Sequence, residues 1–225
     1  MISPEQYIFQ SEHAVEGMFD LLNHYSELIK MSFPPVQVIR HNGRDGEFEK
    51  KYEAWRSRPE IQQEFEIAEY AREEYRASLF SRHVISGSIL QIACKAIELY
   101  SNNLECDDSF AYLFEGCKSK LKARLVKFAI GRKVRSVPIG LIIYAGRNQY
   151  NHFDTQDGLK NIVNINVFNA LATNHEYGDF LDPPFDLDNE SIISYSSNIR
   201  SILEWNNYSK YITDMKNLLG IEQHA

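Results

Sequence analysis

No stretch of this chain is apolar for long enough to cross a membrane. The longest apolar runs, "VPIGLIIYAG" and "GSILQIACKAI", fall far short of the ~20 residues of a spanning helix, so no membrane partner is expected. The N-terminal "MISPEQYIFQSEHAVEG" lacks the basic start and apolar centre of a secretory signal. Cysteine is scarce: Cys94, Cys106 and Cys117 are an odd set without CxxC spacing. That suits a reducing cytoplasm, the expected location, and argues against a four-ligand zinc site. No cofactor is expected. An overall basic balance is also lacking. The net charge of −7 argues against a protein that coats nucleic acid indiscriminately.

Alternating β patterns, internal repeats and low-complexity tracts are nearly or wholly missing, and helical periodicity takes their place. Val15, Met18, Phe19, Leu22, Tyr25 and Ile29 form an apolar stripe over residues 12–31. Pro59 suits a first helical position, and the pattern then runs to Asn102 without another proline. Its second half offers Val84, Ile85, Ile89, Ile92, Ala93, Ala96 and Tyr100 to a core, and "SGS" at 86–88 marks either a break or a close helix crossing. Residues 108–130 predict a further helix with Tyr112, Leu113, Leu121, Leu125 and Phe128 inward, stopped by Gly131. Pro138 opens another, and Leu159, Ile162, Val163, Val167, Ala170 and Leu171 mark the next. Residues 190–219 predict one or two closing helices with a junction at Asn206 and Asn207. The stretch 32–58 holds a proline pair and glycines, and reads as an irregular arm with a short extended piece at "VQVIR". The expected architecture is a single all-α domain over 1–225: a bundle core at roughly 59–175, with the arm and closing helices added.

Two segments carry chemistry. Residues 118–135, "KSKLKARLVKFAIGRKVR", hold eight basic residues and no acid: Lys118, Lys120, Lys122, Arg124, Lys127, Arg132, Lys133 and Arg135. They form either a solvated face or a surface for a polyanion. Shortly after comes "GRNQYNHFD", 146–154, which resembles neither a Glu/Lys surface helix nor a Leu core helix. On a helix, Tyr144, Asn148 and His152 share a face. Arg147 and His152 lie roughly 140° apart around the axis and about 7.5 Å along it, within the reach of an arginine. A planar, permanently charged guanidinium suits a phosphate, and histidine exchanges protons near neutral pH. Together they can break a phosphodiester without a metal. Two other readings stay open for these residues. One is a structural arginine and histidine; the other is a metal site from His152, Asp154 and Asp157, though no HExxH-like helical pair exists.

The segment "GRNQYNHFD" resembles the signature of the HEPN superfamily: an arginine, a polar residue that is often asparagine, three variable residues and a histidine. Arg147, Asn148 and His152 fit it. The resemblance covers residues 80–175 best. It implies an up-and-down helical bundle and a metal-independent endoribonuclease in which two protomers join their motifs in one cleft. The 2′-hydroxyl of RNA would attack the adjacent phosphate and leave a 2′,3′-cyclic phosphate. His152 would then be the general acid or base, Arg147 the phosphate ligand and Asn148 an orienting group. The basic run would guide RNA. Members act in toxin–antitoxin and antiphage systems, so an antitoxin or defence-complex partner is implied alongside RNA and the homodimer. Some HEPN toxins carry a tyrosine two residues after the histidine, where adenylate is attached; here that position is Asp154. The alternative functions are a non-catalytic HEPN module that binds RNA, a nucleotide or a protein, and a structural subunit docked through the 32–58 arm.

Overall fold

A computed structural model describes residues 2–36, 46–152, 161–175, 180–192 and 194–221. The protein is mostly helical, with one two-stranded ribbon among the described residues. Contacts divide it into two compact units, Leu21–Ser81 and the remainder, Met1–Asp20 with Arg82–Ala225. Two long helices, α1 (Pro4–Met31) and α3 (Pro59–Tyr100), contribute to both units.

Helix α1 starts two turns earlier than its apolar stripe. The Gln6 amide donates to Ser3 Oγ at 3.2 Å and the Ser3 amide to Gln6 Oε1 at 3.0 Å. That reciprocal capping box satisfies two orphan helix donors. In the smaller unit the expected irregular arm contains a helix, α2 (Glu47–Arg56). An aromatic cluster holds it: Trp55 packs edge-on to Phe65 at 6.0 Å, and Tyr52 lies 5.6 Å from Trp55. The extended piece expected at "VQVIR" falls, beyond Val36, outside the described residues, as does Leu159.

The larger unit is organised around α5 (Ile139–Asn151), which packs on α6 (Ile162–Thr173) and α7 (Ser196–Ile202). Every residue from Ile139 to Gly146 is buried, so α5 is apolar on all sides for two turns and not amphipathic. Two glycines allow its neighbours that close. A Cβ at Gly140 would lie 2.4 Å from the Phe128 carbonyl oxygen, and one at Gly146 about 3.0 Å from Ile199 and 3.1 Å from Leu90. The "SGS" stretch is a crossing and not a break: α3 runs through it unbroken, and Gly87 faces the Tyr150 ring, which a Cβ would meet at 2.3 Å.

The helix expected over 108–130 is in pieces. A 3-10 segment (Asp108–Phe114), α4 (Ser119–Leu125) and a second 3-10 turn (Val126–Phe128) replace it. Gly116, at φ 73°, turns the chain between the first two. Asn166 of α6 donates to the carbonyls of Leu113 and Glu115 at 3.2 and 3.1 Å, occupying acceptors the break leaves over. Tyr112 is consequently exposed and Leu121 half-buried, while Leu113, Leu125 and Phe128 are buried as expected. Strands β1 (Lys133–Val134) and β2 (Val137–Pro138) then form a tight hairpin, with Arg135 and Ser136 both at positive φ. The closing helices are α7 and α8 (Tyr208–Leu219), and Asn207 caps the latter by accepting from the Lys210 amide at 3.0 Å.

The close approach at Gly140 predicts that Gly140→Ala destabilises the protein by about 2 kcal/mol, since the obstructing atom is backbone. Gly17→Ala, on an exposed face of α1 with open space around its Cα, should stabilise by about 0.5–1 kcal/mol. Urea unfolding midpoints of the two variants check both signs.

Candidate functional site

The last turn of α5 leaves the core, and that is where the side chains of "GRNQYNHFD" divide. Gln149 stays buried, and its Oε1 accepts from the Tyr195 amide at 3.0 Å, fixing α5 to the start of α7. Asn151 is exposed and reaches Gln91 of α3 at 3.5 Å. Arg147 and Asn148 are half-buried, and His152, the residue that ends α5, is exposed with φ −130°. His152 is thus one residue beyond the helix on which the spacing placed it.

Arg147, Asn148 and His152 nevertheless line one cavity of about 290 Å³, together with Arg124, Tyr144, Asn161 and Asn164. The volume is at the small end of ligand sites. Each wall has a local cause. Asn161 caps α6 by accepting from the Val163 amide at 3.0 Å, and its Nδ2 donates to the Tyr144 hydroxyl at 3.2 Å. Asn148 Nδ2 donates to Asn164 Oδ1 at 3.4 Å. Arg147 Nε donates to Cys94 Sγ at 3.4 Å, and its guanidinium lies 6.0 Å from the Tyr144 ring centre.

The partner of Arg147 matters electrically. Burial pushes the Cys94 thiol up, against the pull of Arg147, so the sulfur is a neutral, weak acceptor. It orients the guanidinium without neutralising it. Glu98 of α3 is a carboxylate that feels Arg147. Burial would raise its pKa, but its hydrogen bond to Lys95, the Lys95 charge and then Arg124 and Arg147 outweigh this and hold it below the ordinary value. Glu98 bonds Lys95 at 3.1 Å and Arg124 at 3.4 Å. Among the described residues one carboxylate is thereby spread over three cations, and the cavity lining holds two arginines and no acid. Neither Glu98 nor the amides of α6 were apparent from sequence: nothing in spacing connects position 98 to 147, or 164 to 148.

Of the eight basic residues expected to guide RNA, Arg124 alone among the described residues lines the cavity. Lys118 and Lys120 are exposed on or beside α4. Lys122 lies 5.7 Å from the Phe114 ring and Lys133 4.6 Å from the Phe110 ring, and Lys127 donates to the Glu98 carbonyl at 3.4 Å. Arg132 and Arg135 do structural work instead. Arg132 donates to both oxygens of Asp214 at 2.9 Å and to the Leu203 carbonyl at 2.6 Å, while Trp205 Nε1 donates to the same carboxylate at 2.8 Å. Arg135 pairs with Asp182 at 2.6 Å and donates to the Leu171 carbonyl. The run is amphipathic in purpose as well as in pattern: its end fastens the hairpin to the core.

Among the described residues no group of three His, Cys, Asp or Glu side chains could hold a metal; Asp154 and Asp157, the other members of the metal reading, lie outside them. No helix among them is long and apolar enough to cross a membrane. Comparison with protein-family models, curated proteins and solved structures finds no match for the chain.

The buried Asp214 carboxylate predicts that Arg132→Ala costs about 2 kcal/mol of stability. Thermal unfolding of the variant beside the parent checks it.

Proposed function

We propose that this chain is a HEPN-like, metal-independent endoribonuclease that acts as a homodimer in toxin or antiphage defence. The observation that carries the reading is the shared cavity: an arginine whose hydrogen-bond partner is a neutral thiol, an asparagine and a histidine line one small space, with Arg124 as a second cation and no acid among the described lining residues. A phosphodiester is the substrate group that suits two guanidinium ions beside a proton-transfer residue.

In the proposed reaction the RNA 2′-oxygen attacks the adjacent phosphorus, and the bond from phosphorus to the 5′-oxygen breaks. One proton leaves the 2′-hydroxyl and another reaches the departing 5′-oxygen. Arg147 stabilises the charge that gathers on the equatorial phosphate oxygens, where a fixed donor is worth most. His152 transfers a proton, and Asn148 orients the phosphate or the imidazole. Two proton transfers at opposite ends of one displacement call for two groups. Among the described residues each cavity has one histidine, at an exposed helix end, so a second copy of the chain is the natural source of the other.

This reading predicts that the purified protein cuts single-stranded RNA in excess EDTA and leaves single-stranded DNA intact. His152→Ala should lose at least about 10²-fold in rate, Arg147→Ala a similar factor, and Asn148→Ala less. All three should retain the parental helical circular dichroism, since none of these side chains is in the core. RNA bound but never cut, with His152→Ala indistinguishable from the parent, would replace the nuclease by a non-catalytic binding module.

A further inference from the structure

Asn164 has no evident structural return for its position. It sits on α6 among Val163, Val167 and Phe168, and is 1% exposed. Asparagine is a poor helix former because its side chain competes for backbone groups, and a buried amide costs stability unless both its ends are bonded. Its Oδ1 accepts one long bond, 3.4 Å, from Asn148. Its Nδ2 bonds none of the described residues, although the side chain lines the cavity. Whichever way the carboxamide is turned, one of its polar groups bonds none of the described residues and is left to the cavity that Arg147 also lines. Asn161, by contrast, spends both ends of its amide on the Val163 amide and the Tyr144 hydroxyl. Asn148 gives its Nδ2 to Asn164 and keeps its own oxygen. The neighbouring pair Asn148 and Asn164 therefore offers the cavity one acceptor and one donor.

We propose that Asn164, with Asn148, forms a base-reading subsite next to the phosphate site, so that the cavity takes a nucleotide by a base edge as well as by its phosphate. The proposal rests on the phosphate-binding part of the nuclease reading. A donor and an acceptor together match the polar edge of a nucleobase, whereas a bare phosphate offers acceptors alone; ribose 5-phosphate is the control for the sugar hydroxyls. The base so held would flank the scissile phosphate, making Asn164 a specificity-determining residue and not a catalytic one. A helix position filled by Leu or Val would pack better and read nothing.

Calorimetric titration of the full chain with the four nucleoside 3′-monophosphates and with ribose 5-phosphate tests this without requiring cleavage. One or two of the nucleotides should bind about 10-fold tighter than ribose 5-phosphate. Asn164→Ala should bring them to the ribose phosphate level and leave ribose 5-phosphate itself unchanged. Asn164→Asp keeps the shape and the acceptor for Asn148 while turning the spare donor into an acceptor; its added charge weakens every phosphate alike, but the ranking of the bases should change. Circular dichroism accompanies both, and if the alanine variant unfolds the aspartate variant decides. Equal binding of all five ligands, no binding of any, or a base ranking that survives both substitutions overturns the subsite. Intact base ranking with RNA left uncut would instead count against the nuclease and leave the subsite standing.

Discussion

Everything at the candidate site depends on how deeply the first two turns of α5 are buried. Ile139 to Gly146 have no solvent face; Gly140 lets the Phe128 carbonyl approach to a distance a side chain would forbid, and Gly146 seats Ile199 and Leu90 where a Cβ would be tight. A helix gripped that closely has little freedom to rotate or slide. Its final turn is therefore delivered to the surface at a fixed angle, and Arg147, Asn148 and His152 arrive at the cavity together. The buried Gln149, bonded to the Tyr195 amide, adds a polar tie between the last turn of α5 and the start of α7. Positional precision of this kind is what phosphate chemistry requires of its donors.

The charges around the cavity are arranged to stay available. Pairing Arg147 with a carboxylate would orient it equally well and would cancel the field a phosphate needs. Cys94, kept a thiol by burial, orients without cancelling. Glu98 is shared between Lys95 and Arg124 and also feels Arg147. An incoming phosphate would compete with one weakly held, exposed contact, Arg124 to Glu98, and not with a buried bidentate pair such as Arg132 with Asp214. That difference separates a cation that can receive a ligand from one committed to the fold.

Much of the helical order was legible in the sequence because it depends on local signals. Pro59 opens α3, Asn207 caps α8, and the apolar stripes of α1 and α6 run where their spacing puts them. The Ser3–Gln6 capping box was also there to be read. Other features were hidden for a physical reason. Gly116 breaks what looked like one helix, and Asn166, distant in sequence, makes the break tolerable by taking the carbonyls of Leu113 and Glu115. The basic run looked uniform, yet Arg132 and Arg135 find partners near 182, 203 and 214 that no spacing reveals. At the site, the motif residues were visible as a set, whereas Glu98, Cys94, Asn161 and Asn164 join them only through tertiary packing.

In the proposed reaction the cavity uses the 2′-hydroxyl of RNA as its nucleophile. The most direct measurement takes an RNA oligonucleotide with a single 2′-deoxy residue on the 5′ side of the linkage that is cut, and identifies the product ends by mass spectrometry. The substituted linkage alone should resist, and the unsubstituted RNA should yield 2′,3′-cyclic phosphate and 5′-hydroxyl ends. Cleavage at the deoxy position, or 5′-phosphate ends from attack by water, would contradict it.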